Sequence, residues 1–177
     1  MKTIITYINE KLKIKKNPYN YFPKTKEELK DLMEQLIKDR SNEGDFNDID
    51  TSEITDMSYL FYEIEMKKFN GDISNWDVSN VKDMTGLFYG LRNFDSNLSN
   101  WNVSNVTNMH NMFYLCEKFN QDISEWDVFN VENMDRTFYG CKSFNQDISN
   151  WDVSKVTNIS SMFFNCPIEE KYKPKFD

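Results

Sequence analysis

Three features of this chain combine reactive residue types with regular spacing: a single histidine, three cysteines and two series of acidic residues. A Ser/His/Asp or Cys/His catalytic group would have to use His110 as its base, because the chain has no other histidine. The residues at 25-residue intervals around it are Thr85, Asp135 and Ser160, and so variable a series is typical of a surface. We therefore expect His110 to be an exposed surface residue, and we predict no catalytic residues.

The cysteines Cys116, Cys141 and Cys166 also lie 25 residues apart. Stacked thiols about 5 Å apart at the backbone would be close enough for a disulfide. A structural zinc site would need four ligands in close sequence pairs, which the chain lacks. The interpretation we favour is a small apolar residue that fills a turn, as Leu91 does one interval earlier. The odd number of cysteines without a secretory signal favours reduced thiols, and we predict neither a metal nor another cofactor.

Two series of mostly acidic residues recur at equivalent positions of the repeats, 25 residues apart except for the first step, from Asp50 to Asp77, which is 27. Aligned carboxylates could bind calcium, which takes six to eight oxygen ligands, but no glycine-rich turn brings these residues together. Capping of turns or helix starts explains them better. Identical repetition also argues against an active site, because paired acids for glycoside cleavage need one distinct pair in a cleft, and we expect no enzyme. The series are Asp72, Asn97, Asp122 and Asp147, and Asp50, Asp77, Asn102, Asp127 and Asp152.

The elements that position these residues are copies of one 25-residue unit. A fixed period of this length is the signature of a solenoid, in which each unit buries its apolar face against its neighbours. We count one degenerate unit, which begins near Asp45, and four regular units, of which the last ends near Cys166. We expect the tryptophans in the core because they belong to the apolar frame. The recurring residues include Trp76, Trp101, Trp126 and Trp151; Phe88, Phe113, Phe138 and Phe163; and Val78, Val103, Val128 and Val153.

The apolar spacing inside a unit predicts its fold. The order Ile73-x-x-Trp76-x-Val78-x-x-Val81 matches the L-x-x-L-x-L frame of leucine-rich repeats. It predicts an α/β repeat fold, a short leucine-rich-repeat-type solenoid with parallel short strands at Trp76–Val78 and helical or 3-10 turns at about Asp83–Tyr89. Side-chain amides would bond backbone groups of the next coil at Asn80, Asn105 and Asn130.

The remaining segments form the two ends of this solenoid. Residues 1–24 are predicted to be a basic N-terminal arm with a short amphipathic helix over about residues 3–16. Thr25 and Glu28 form a capping box that opens a second helix, about residues 26–40, and we predict that residues 25–41 cap the N-terminal end. The solenoid itself spans residues 42–166, and residues 167–177 are a charged C-terminal tail.

Side chains on either side of each tryptophan and valine would form the strand face, where partners of leucine-rich repeats dock. We predict a non-enzymatic binding or adhesion module that engages a protein or glycan through this face. Phe129 interrupts the polar series and is the best single hot-spot candidate, although it could equally be partly buried against Trp126 or a neighbouring coil. The candidate partner-binding residues are Asn75, Asp77, Asn100, Asn102, Glu125, Asp127, Phe129, Asn150 and Asp152.

The units that begin Phe119-Asn120-Gln121-Asp122-Ile123-Ser124 and Phe144-Asn145-Gln146-Asp147-Ile148-Ser149 resemble the repeat of the BspA-like bacterial surface proteins, over about residues 43–166. The resemblance implies a leucine-rich-repeat variant with adhesive or unknown roles, mostly on bacterial surfaces or encoded by mobile elements, and no catalytic motif. Tyr7–Leu12 is also similar to N-terminal segments of proteins from phages that infect gut bacteria. An alternative function is therefore a structural or host-directed protein of a phage or mobile element, docking through its N-terminal arm.

Charge and hydropathy limit the partners. Residues 1–24 hold six lysines and one glutamate, a balance of +5. The net charge of the whole chain is −8, so the remaining residues carry −8 − 5 = −13. We expect no nucleic acid on the repeat body, because an acidic surface repels phosphates. The chain lacks an apolar run long enough to span a membrane and lacks a signal-peptide pattern, which predicts a cytoplasmic or virion-associated protein. We expect either a monomer or self-association through the N-terminal arm.

Overall fold

A computed structural model describes residues 17–62 and 66–176 of the chain. Within those ranges it contains one α-helix, α1 (Lys26–Arg40), and one short 3-10 helix (Glu170–Tyr172). The only β-structure there is a set of isolated parallel bridges, with no sheet. The predicted α/β class, a leucine-rich-repeat solenoid with parallel strands, is therefore wrong. The predicted helix over residues 3–16 lies outside the described residues.

The apolar spacing encodes β-turns rather than strands and helices. The backbone N–H of Trp76 donates to the carbonyl of Ile73 at 3.1 Å, and the N–H of Val81 donates to the carbonyl of Val78 at 2.9 Å. The bond from Leu87 to Met84, at 3.2 Å, closes a third turn. Each turn therefore has an apolar residue at its first and fourth positions, which is the x-x spacing seen in the sequence. The predicted strand at Trp76–Val78 and the predicted helical segment at Asp83–Tyr89 are both absent.

Aspartate and asparagine side chains hold these turns. Asp72 Oδ1 accepts from the N–H of Ser74, two residues further on, at 3.0 Å, and Asp77 Oδ1 accepts from the N–H of Ser79 at 3.0 Å. The same bond recurs at equivalent positions of the other units, with asparagine at positions such as Asn97 and Asn102. These side chains mimic a backbone turn, which both residue types do well. The turn-capping interpretation of the acidic series is confirmed.

Successive units stack through backbone hydrogen bonds at 25-residue intervals. Isolated parallel bridges join Asp83 to Asn108, Asn108 to Asn133 and Asn133 to Asn158. Side-chain amides add a second set of bonds, since Asn105 Nδ2 donates to the carbonyl of Ser79 at 2.7 Å. The equivalent bonds from Asn80 and Asn130 also reach the preceding unit, whereas the sequence analysis assigned them to the next one.

The core is a column of aromatic and aliphatic side chains that runs through every unit. The four tryptophans are 3–5% exposed, as predicted for core residues. Each indole Nε1 donates to a carbonyl of the preceding unit, as Trp101 does to Ile73 at 3.1 Å. Phenylalanine rings stack along the same direction, with 5.5 Å between the centroids of Phe113 and Phe138. Every unit therefore completes the core of its neighbour.

Non-repeat segments contact both ends of the stack. Helix α1 begins after Thr25, whose hydroxyl accepts from the N–H of Glu28 at 3.2 Å, and its range agrees with the prediction. It packs on the first unit through a buried apolar stripe and through Lys26, whose Nζ lies 2.8 Å from Oδ2 of Asp56. At the other end, the carbonyl of Tyr172 accepts from the N–H of Ile148 at 3.0 Å. In the part of the chain that the structure describes, no helix could span a membrane.

Candidate binding surface

The nine candidate partner-binding residues are all exposed and flank the buried tryptophans. Several of them are already hydrogen-bonded, either within their own turn or to the preceding unit. Asp127 Oδ1 accepts from the N–H of Phe129 at 3.1 Å, and Asn150 Nδ2 donates to the carbonyl of Ser124 at 3.1 Å. The Ser154 hydroxyl and N–H hydrogen-bond to Asp152 and lower the pKa of its carboxyl. This face is therefore built of capping groups that serve the fold itself, and its side chains are nearly the same in each unit.

Phe129 is the one large apolar side chain of this face. It is 42% exposed and therefore partly buried, which agrees with the alternative of partial burial against a neighbouring coil. The ammonium of Lys155 lies 3.9 Å from the ring centroid, a cation–π contact that covers one face of the ring. A single ring under a lysine offers little apolar area to a partner.

A second, aromatic surface lies on another side of the stack. Its central rings stack at centroid distances of 4.6 Å between Tyr89 and Tyr114, 4.8 Å between Tyr114 and Tyr139, and 4.9 Å between Tyr139 and Phe164. At the N-terminal end Tyr62 meets Tyr89 edge to face at 5.7 Å. We call this row the tyrosine ladder; its members are Tyr59, Tyr62, Tyr89, Tyr114, Tyr139 and Phe164.

The fold places the ladder outside because the chain alternates at this corner. Phe88 is fully buried, and the next side chain, Tyr89, is half-buried with its outer edge in solvent. The pKa of the Tyr89 hydroxyl is raised by partial burial and by the neighbouring tyrosines, so it stays a neutral hydrogen-bonding group at pH 7. Sequence analysis missed this surface, although Tyr89, Tyr114 and Tyr139 recur at 25-residue intervals.

Basic side chains line one margin of the tyrosine ladder. Arg92, Lys118 and Lys142 follow the ladder tyrosines by three or four residues and are exposed. Glu117 lies among them, pairs with Arg92 and is 2.9 Å from Nζ of Lys142. Both cations lower the pKa of the Glu117 carboxyl, Lys142 more than Arg92. Glu43 lines a shallow pocket together with Lys118 and a further basic residue, Lys68. The margin therefore keeps a positive balance on a protein whose net charge is −8.

His110 is partly buried between two units, with 26% of its side chain exposed, so it is less exposed than the surface residue that the sequence predicted. Its Nδ1 lies 3.2 Å from Oδ2 of Asp135, a residue only 7% exposed. The Asn111 amide contacts the other ring nitrogen at 2.8 Å, and Arg136 lies 3.1 Å from the same carboxylate oxygen of Asp135. These contacts give the histidine a cross-linking position between neighbouring coils.

The three cysteines are free thiols. Cys116 and Cys141 are fully buried, and their Sγ atoms donate to the carbonyls of Phe88 and Phe113 at 3.0 Å. Burial raises the pKa of both thiols well above the ordinary value, and it raises the pKa of Cys166 to about 11. The prediction that Cys116 and Cys141 fill the turn as core residues is confirmed.

Comparison with known proteins identifies the repeats. Residues 29–128 and 64–173 match the family described as "Mycoplasma protein of unknown function, DUF285". The chain belongs to the DUF285 family. The two matches overlap, as expected when a repeated unit aligns in more than one register. Together they cover most of helix α1 and all the repeats of this DUF285 protein. No curated protein and no solved structure matches it. The resemblance to BspA-like proteins stays a prediction.

Proposed function

We propose that this DUF285 protein is a non-enzymatic binding module that engages a partner protein through the tyrosine ladder. The observation that supports the proposal is the continuous row of partly exposed aromatic rings. Tyr62 and Phe164, near its two ends, are 51% and 52% exposed. Tyrosine is enriched in binding surfaces, because it presents a large apolar body and a polar tip at a small cost in conformational entropy.

The stacking geometry favours a protein over a glycan as the partner. A sugar ring binds by lying flat on an exposed aromatic face. The two faces of Tyr114 are occupied by Tyr89 and Tyr139, with interplanar angles of 5° and 15°. What Tyr114 offers to solvent is its ring edge and hydroxyl, which suit side chains and backbone groups of a protein surface.

The charges beside the ladder suggest the character of that surface. Arg92, Lys118 and Lys142 form a basic margin, while the body of the protein is acidic. Complementary charge speeds encounter and fixes orientation more than it adds affinity. We therefore expect a partner with an apolar strip next to an acidic margin.

Two matched triple variants test the proposal. The ladder variant carries Tyr89→Ala, Tyr114→Ala and Tyr139→Ala. The control variant carries Asn100→Ala, Glu125→Ala and Phe129→Ala, on the face that the sequence predicted. Wild type and both variants are used to capture proteins from an extract of the source cells, and the captured proteins are identified by mass spectrometry. Urea titrations of the two variants check that each remains folded.

The expected result is that a partner captured by the wild type is lost with the ladder variant and retained with the control variant. Binding of the purified partner should weaken by at least about tenfold in the ladder variant, since central aromatic residues dominate protein interfaces. Loss of the partner with the control variant alone would move the binding surface to the predicted face and overturn the proposal.

A further inference from the structure

The degenerate unit is counted here as the first and the four regular units as the second to the fifth. The units are joined by four columns of aligned peptide groups. In the second unit the N–H groups of alternate residues donate to carbonyls of the third unit at 2.7–2.9 Å. In one column the N–H of Met84 donates to the carbonyl of Asn108. That carbonyl and the N–H of Met109 belong to one peptide group, and the N–H of Met109 donates to the carbonyl of Asn133. The four donors in the second unit are Met84, Gly86, Phe88 and Gly90.

The columns continue in register to the last unit. The donors of the third unit are Met109, Asn111, Phe113 and Leu115, and those of the fourth are Met134, Arg136, Phe138 and Gly140, all bonded at 2.7–3.0 Å. Peptide groups bonded head to tail polarise one another in the same direction. Every column therefore points its N–H groups toward the C-terminal end of the stack. In an α-helix it is the carbonyl groups that point toward the C-terminal end.

The last unit leaves all four columns open. Its equivalent donors are the N–H groups of Ile159, Ser161, Phe163 and Asn165, and none of them has a hydrogen-bond acceptor among residues 17–62 and 66–176. The C-terminal segment lies beside this edge, with Lys173 Nζ 5.7 Å from the ring centroid of Phe163, but its described residues accept no hydrogen bond from the four donors. These donors form an unpaired edge of the kind that binds another chain.

The apolar surface around this edge is unfinished as well. Ile159 is 41% exposed, whereas the equivalent methionines of the earlier units are fully buried. Phe164 stacks on Tyr139, and no ring among the described residues covers its other face. A cavity of about 800 Å³ lies between Ile159, Phe163 and the C-terminal residues Lys173 and Phe176. One more turn segment of the same type would complete these contacts.

We propose that the C-terminal edge binds a repeat-type turn segment supplied by another protein chain. The contact continues the coil-on-coil interface that this chain already makes between its own units. Four carbonyls on alternate residues would accept from the edge, an apolar residue would cover Ile159, and an aromatic ring would extend the ladder over Phe164. A second copy in head-to-tail contact is less suitable, because α1 packs on its first unit through Lys26 and Asp56.

The probe is a synthetic peptide with the sequence of residues 131–144, which contains the turn segment that accepts the four bonds of the third unit. A fluorescent label reports its binding to the full-length protein by anisotropy, at protein concentrations up to about 1 mM. A scrambled peptide of the same composition is the control. Amide hydrogen exchange, resolved by residue with NMR, follows the edge directly.

Two variants with matched exposure control for folding. Ile159→Asp places a charge at the edge, and Phe129→Asp changes a residue of nearly the same exposure, 42% against 41%, on the other face. We expect the peptide to bind wild type and Phe129→Asp equally, and Ile159→Asp at least about tenfold more weakly. In the free protein the four edge amides should exchange at least about 100-fold faster than their equivalents in the second unit, and the peptide should protect them.

Several results would overturn the proposal. They are absence of saturable binding, equal binding of the scrambled peptide, and binding without protection of the four amides. Protection of the same amides in the free protein, together with a dimeric mass in light scattering, would assign the edge to a second copy instead. The peptide experiment uses wild type, Ile159→Asp and Phe129→Asp and changes no tyrosine of the ladder, so its failure is distinguishable from a failure of the proposed function.

Discussion

Removing Trp126 tests the packing that joins neighbouring units. The side chain is 4% exposed and stacks on Trp151 with 6.4 Å between centroids and an interplanar angle of 5°. Its Nε1 donates to the carbonyl of Leu98 in the preceding unit at 3.1 Å. The residue therefore contributes both buried area and a buried hydrogen bond to the contacts on its two sides.

Trp126→Ala should lower the free energy of unfolding by about 3–5 kcal/mol, the usual cost of truncating a buried large aromatic residue. Trp126→Phe keeps a ring but removes the donor to Leu98. The carbonyl of Leu98 still accepts from the N–H of Trp101 at 3.1 Å, so the cost is that of one hydrogen bond, about 0.5–1.5 kcal/mol. The smaller ring adds a small cavity to that loss. Phe129→Ala is the control, because that ring is exposed and contributes mainly its contact with Lys155. A cation–π contact of this kind is worth about 0.5–1 kcal/mol.

Urea titrations followed by fluorescence of the remaining tryptophans measure all three variants. The expected order of losses is Trp126→Ala, then Trp126→Phe, then Phe129→Ala. The reasoning would be refuted by a loss below about 1 kcal/mol for Trp126→Ala, or by an equal loss for Phe129→Ala. Either result would mean that the register of buried and exposed residues is misassigned.

Three further predictions follow from the turns and the burial. Gly86 and Gly90 both have positive φ, but a Cβ at Gly86 would lie 2.3 Å from the Tyr59 ring, whereas one at Gly90 meets nothing within 4 Å. Gly90→Ala should therefore lower the free energy of unfolding in urea by about 1–2 kcal/mol, the cost of a left-handed backbone. Gly86→Ala should lower it by about 1–3 kcal/mol more, because its Cβ also meets the Tyr59 ring. Equal costs would contradict the packing of Tyr59. A thiol reagent should leave Cys116 and Cys141 unmodified in the native protein at pH 8 and modify them after unfolding, because both are buried with raised pKa values; rapid native reaction would contradict the burial. The free energy of unfolding should be nearly constant from about pH 7 to pH 5 and should fall below about pH 4. Turn hydrogen bonds lower the pKa of the capping carboxyls in the folded protein. Their stabilisation is therefore complete above the ordinary aspartate pKa and is lost as the pH falls through the lowered values. Those carboxyls are Asp72, Asp122, Asp147 and Asp152. Urea midpoints measured across this range that rise in acid would contradict the assignment.

The sequence by itself determined the repeating unit and the core. Residues such as Trp76 and Phe88 could be assigned to the interior because a recurring large apolar side chain must be buried in every copy. Helix α1 could be predicted with its range, because the Thr25 cap and the apolar stripe are local signals that operate within a few residues. The capping role of the aspartates followed from the same kind of local chemistry.

Only the tertiary structure decided the backbone conformation and the surfaces. The spacing from Ile73 to Trp76 fits a leucine-rich-repeat frame and a β-turn equally well, because both place the two side chains inward. The choice between them depends on which carbonyl accepts each N–H, and the partner lies either three residues away or in the neighbouring unit. The tyrosine ladder and the open C-terminal edge depend on the same long-range contacts: rings and peptide groups become columns only when the coils stack.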